Sequence, residues 1–64
     1  MDREEMIRIY KVHQKSIAEH KEAVEVMKRY NDEAHRLAIV ALQKELSYLE
    51  DNAYRYKMAI DRGA

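Results

Sequence analysis

The chain has 64 residues with 12 basic and 12 acidic side chains and no cysteine. That length allows one small domain whose core is marginal without help, and the lack of cysteine rules out disulfide or thiolate-metal staples, which leaves self-association as the expected support. Balanced charge removes the net field that would draw a protein without preference to nucleic acid or to acidic membranes.

Proline is absent and the single glycine, Gly63, is next to last, so nothing from Asp2 to Arg62 forbids helix, and Ala, Glu, Lys, Leu, Met and Arg favour it. The spacing predicts a first helix over about 2–30, with Met6, Tyr10, His13, Ile17, His20, Val24 and Met27 on one seam in alternating three- and four-residue steps. A turn is expected at Asn31-Asp32: Asn tolerates the left-handed conformation that ends helices, and Asp accepts hydrogen bonds from the free amides that begin them. A second helix is predicted over about 32–61, its seam formed by Ile39, Leu42, Leu46, Leu49, Ala53, Tyr56 and Ile60, with the last residues Asp61 to Ala64 fraying.

The two seams disagree in register by one residue, which decides between two architectures. One continuous helix of ~90 Å in a long coiled coil would carry the first seam into Asn31, Ala34, Ala38, Ala41, Glu45, Tyr48 and Asn52, a poor core. Keeping the second seam in such a helix requires a one-residue slip, whereas an antiparallel hairpin requires none and pairs residues whose numbers sum to about 63. Its expected layers are Val24 with Ile39, His20 with Leu42, Ile17 with Leu46, His13 with Leu49, Tyr10 with Ala53, and Met6 with Tyr56. The predicted fold is therefore an all-α helical hairpin forming a single domain over 1–64.

Two helices only half enclose that seam. A second set of positions at helical spacing carries Ile9, Val12, Ser16, Glu19, Ala23, Val26 and Tyr30 on helix one, and Ala38, Ala41, Glu45, Tyr48, Asn52 and Ala59 on helix two. Leu37 and Val40 widen the apolar surface near the turn, as Ile7 does near the N-terminus. The residues expected at an interface are Ile9, Val12, Ala23, Val26, Tyr30, Leu37, Val40, Ala41 and Tyr48. The simplest occupant is a second copy, giving a homodimeric four-helix bundle; a different protein docking helix against groove is the other. Off-seam Tyr30, Tyr48 and Tyr54 suit half-wet contacts of either kind.

Catalysis is not expected. Ser16 lies between His13 and His20 at helical spacing, but a nucleophilic site also needs a group to orient the base and free donors for an oxyanion, and helix amides are occupied. No cofactor and no metal site is expected either. His13 and His20 lie ~10.5 Å apart along one helix, too far to share an ion within one chain. Asp32 and His35 have the spacing of di-metal bundle motifs, yet that chemistry needs two copies plus inward glutamates, and Asp32 reads better as a helix cap. Seam histidines could instead tie stability to pH.

Local charge supplies the alternative function. Arg8, Lys11 and Lys15 lie in a stretch from Met6 to Ala18 that has no acid, and the hairpin brings Arg55 and Lys57 toward the same end, so these five are the candidate nucleic-acid contacts. In length, turn position and expected dimeric packing the chain resembles the helical-hairpin regulators of plasmid copy number, which grip paired RNA loops; the resemblance implies RNA binding but shares no motif that assigns residues. Leu42 to Leu49 is similar to the signature of small hairpin phosphatases of sporulation, with Gln43, Lys44 and Ser47 standing where that family has Ser, Gln and its functional Asp, so the chemistry does not carry over. No apolar run would cross a bilayer, and the charged opening Met1 to Glu5 does not read as a secretory leader, so a cytoplasmic location without membrane attachment is expected. The expected function is a small non-enzymatic protein-interaction module or regulator, of the kind bacterial and mobile-element genomes encode, with an RNA- or DNA-binding regulator as the alternative.

Overall fold

The computed structural model describes residues 2–63 and contains two helices, α1 (Arg3–Met27) and α2 (Glu33–Asp61), folded back on one another as an antiparallel hairpin. Its Cα trace measures 47 × 14 × 14 Å, the outline of one helix pair. Both helices begin as the sequence suggests. Asp2 caps α1 by accepting the Glu5 amide at 2.8 Å, and Asp32 caps α2 by accepting the His35 amide at 2.8 Å, each satisfying one of the free donors of a first turn.

The end of α1 differs from expectation. The helix stops at Met27, three residues before the predicted Tyr30, and the connection runs through Lys28 to Asp32. No residue other than Gly63 has positive φ among those described, so Asn31 does not adopt the left-handed conformation anticipated for it. The physical reason lies in the hydrogen bonds. Arg29 N–H donates to Val26 O at 3.2 Å and Tyr30 N–H to Met27 O at 3.1 Å, tightening the last turn and occupying carbonyls that a left-handed cap would otherwise serve.

All fourteen expected seam residues are buried or half-buried. Among the described residues only Met6, Val24 and Ala53 are buried, because two helices surround a shared seam on two sides and leave it open on the other two. The expected layers are visible at the open end: Tyr10 and Ala53 line one concavity, and Met6 and Tyr56 line another on the opposite side of the seam. The His13 ring reaches past the level of Leu49 to Tyr56, with ring centroids 5.6 Å apart. That follows from helix geometry. Side chains lean toward the N-terminus of their own helix, so in an antiparallel pair these two converge from levels on either side of the Tyr10–Ala53 layer.

Candidate interaction surface

At 3.6 residues per turn, Ile9, Val12, Ser16 and Ala23 fall on one flank of the α1 seam, and Ala38, Ala41, Glu45, Tyr48, Asn52 and Ala59 fall on one flank of the α2 seam. Antiparallel pairing puts the two flanks on the same side of the hairpin. The expected interface residues do not all share it equally. Ile9, Val12, Ala23, Ala41 and Tyr48 lie within the flank, Ile9 and Ala23 half-buried and the others exposed. Val26 and Leu37 stand at its outer rims, and Val40 is turned to the back of α2, where it forms an exposed pair with Leu37 one turn away.

The opposite side of the hairpin is chemically different. It is a shallow groove lined by Tyr10, Gln14, Ile17, Lys21, Glu50, Ala53, Tyr54 and Lys57, so water and two lysines cover that side of the seam. Gln14 Nε2 donates to the Tyr10 hydroxyl at 2.6 Å, which keeps the Tyr10 tip polar while its ring packs inward. No lysine lies within the first flank, whose charged members are Glu5, Glu19, Glu45 and Arg55, although Lys11 and Lys15 border it beside Val12.

Tyr30, expected at an interface, has a partner within the chain. Its ring stacks on His35 at 4.3 Å between centroids and 13° between planes, although much of the tyrosine stays exposed. His35 in turn donates Nδ1–H to the Asp32 carboxylate at 2.7 Å. Asp32 thus accepts from both the backbone and the ring of His35, and these two bonds, the backbone one first, hold its carboxyl below the ordinary 3.8. The turn is therefore tied by three residues that straddle it. Sequence reading found the cap but not the stack, whose only signal was an aromatic residue two positions before the capping Asp and a histidine three after it.

The two seam histidines are also engaged locally. His13 Nδ1 donates to the Ile9 carbonyl at 2.9 Å and His20 Nδ1 to the Ser16 carbonyl at 2.7 Å, bonds that neutral and charged imidazole can both make. Among the described residues no three His, Asp or Glu side chains gather as a metal site.

The five candidate nucleic-acid contacts are not brought to one face. Arg8, Lys11 and Lys15 surround an open hollow on the outer side of α1, with Glu4, Ile7 and Val12. Arg55 lies beside Met6, Asn52 and Ala59 at the edge of the lysine-free flank, while Lys57 lines the opposite groove. Two of the five are partly neutralised: Arg8 lies 4.0 Å from Glu5 and Arg55 lies 3.3 Å from Asp51. No helix among the described residues is long and apolar enough to cross a membrane. Compared with known proteins, the chain matches no family model, no curated protein and no solved structure.

Proposed function

We propose that the protein is a small non-enzymatic interaction module, working in the cytoplasm, that binds protein through the lysine-free flank of its hairpin. The observation that carries this reading is the imbalance between what the hairpin encloses and what it leaves in water. Three of the described residues are buried, whereas Val12, Val26, Tyr30, Leu37, Val40, Tyr48 and Tyr54 are all exposed. Exposed apolar side chains scattered singly are ordinary, but these include a run that borders a half-open seam, the arrangement of a partner-binding groove.

The test is photocrosslinking in cells that make the protein, with a benzophenone amino acid at Val12 or Tyr48 and, as a control, at Ser47 on the exposed back of α2. Protein adducts from Val12 and Tyr48 but not from Ser47 are expected. Equal adducts from all three positions would sink the reading.

One observation supports the alternative of a nucleic-acid regulator: Lys11 and Lys15 form no ion pair among the described residues and share the outer surface of α1 with Arg8. Triple reversal of Arg8, Lys11 and Lys15 to glutamate discriminates. A salt-sensitive RNA or DNA mobility shift by the unmodified protein that this reversal abolishes would favour nucleic acid over protein as the ligand.

A further inference from the structure

We propose that the occupant of the lysine-free flank is a second copy of this chain, packed face to face with the turn of one hairpin over the open end of the other. This rests on reading the flank as a protein-binding surface and adds the identity and direction of the partner. Surface area gives the first argument. The hairpin exposes 5098 Å², about 800 Å² more than the ~4,300 Å² expected of a compact folded chain of its 7.7 kDa mass. Each partner in an interface of standard size covers ~800 Å², so one copy accounts for the excess.

The distribution of side-chain size gives the direction. Ala23, Ala38 and Ala41 occupy the flank toward the turn, and the larger Ile9, Val12 and Asn52 occupy it toward the open end, where Ala59 is the small exception. A two-fold axis parallel to the helices would join turn to turn, setting alanines on alanines at one end and crowding large side chains at the other. A two-fold axis across the hairpin at mid-length instead places α1 on its own copy with facing residue numbers summing to about 33, and α2 on its own copy with sums of about 93. Ile9 then meets Ala23 and Ala41 meets Asn52, so in these two layers large faces small, as close packing requires.

The polar middle of the flank fits the same arrangement. Ser16 falls beside the axis and faces its own copy. Glu45 faces Tyr48, whose exposed phenol can donate to the carboxylate rather than leave it against another acid. Arg55 lies over Leu37, where its aliphatic stem can pack and its guanidinium can reach water.

The experiment combines solution mass with disulfide mapping, which is clean because the chain has no cysteine of its own. Light scattering after size exclusion, at ~100 μM and on dilution, is expected to give twice 7.7 kDa. Under oxidised glutathione, Ser16→Cys is expected to give a covalent dimer of the same mass and Ser47→Cys none. Should Ser16→Cys fail to fold, mixing Ile9→Cys with Ala23→Cys chains tests a second facing layer in the same way. A helical monomer at the higher concentration overturns the proposal, as does a dimer that forms without the Ser16 or Ile9–Ala23 bridge. Either result leaves the protein-binding reading standing if Val12 and Tyr48 still crosslink to a different protein in cells.

Discussion

Replacing Val24 and Val40 by alanine in turn should separate what the seam contributes from what the surface contributes. Val24 is 5% exposed between the helices and Val40 is 62% exposed on the back of α2. Each substitution removes the equivalent of two methylene groups, ~1.6 kcal/mol if fully buried, and each gains the same helix propensity, so the gain cancels in the comparison. Scaling by burial gives ~1.5 kcal/mol for Val24 and ~0.6 kcal/mol for Val40, a difference of ~0.9 kcal/mol. With an unfolding entropy of ~2.1 cal/mol/K per residue, the whole chain unfolds with ~0.13 kcal/mol/K, so the two Tm values should differ by ~7 °C. Far-ultraviolet circular dichroism on both variants at one concentration reads it directly. Val24→Ala melting within ~2 °C of Val40→Ala, or above it, would mean that the seam between the helices is not where stability resides.

Two further outcomes concern the turn. The Asp32 carboxyl is held below its ordinary 3.8 by the His35 amide and ring, so the stability it adds is complete above that value and is lost as pH falls through the lower folded value. Asp32→Ala should therefore lower Tm by a constant amount near neutrality and by nothing in strong acid; a difference that persists in acid would assign the loss to something other than the charged cap. The Tyr30 ring stacked 4.3 Å from His35 should shift the imidazole proton resonances upfield, and Tyr30→Ala should return them to ordinary values. Unmoved resonances in that variant would place the two rings apart in solution.

The helices and their caps were legible because each depends on local chemistry. Three-four spacing marks Met6 through Met27 and Ile39 through Ile60 whatever packs against them, and an aspartate before a helical run binds the same amide wherever it occurs. The register conflict between the seams carried the long-range information, since a chain reversal reconciles them without the one-residue slip that a continuous helix would need. The turn itself was less legible. Asn31 has the chemistry of a left-handed cap, but the tightened bonds at Arg29 and Tyr30 closed the helix earlier, a choice made by the geometry of the reversal rather than by one residue. The interface set mixed residues from two surfaces for a similar reason. Val40 is as apolar as Val12, and composition weighs them equally, yet their phases relative to the seam put one on the flank and the other on the back. Arg55 and Lys57 separate in the same way: two positions along a helix is more than half a turn, so nearness to one end of the hairpin does not make one face.

For the proposed dimer, the lysine-lined groove is the feature that would stop association at two. A hairpin with apolar flanks on both sides could stack on a fresh copy at either side, and nothing would close the assembly. Here Lys21 and Lys57 stand on the second side with Gln14 and Glu50, so a copy placed there would have to strip water from two ammonium groups whose gain from one carboxylate does not offset the loss. In the proposed dimer the groove residues would set the size of the assembly although they take no part in its interface. Lys21→Leu with Lys57→Leu should raise the light-scattering mass above that of the unmodified protein and make it climb with concentration, while Lys11→Leu with Lys15→Leu, an equal change of charge on the outer side of α1, should not. If both pairs raise the mass alike, loss of net charge rather than the identity of the flank controls assembly, and the asymmetry between the two sides of the hairpin has no bearing on where association ends.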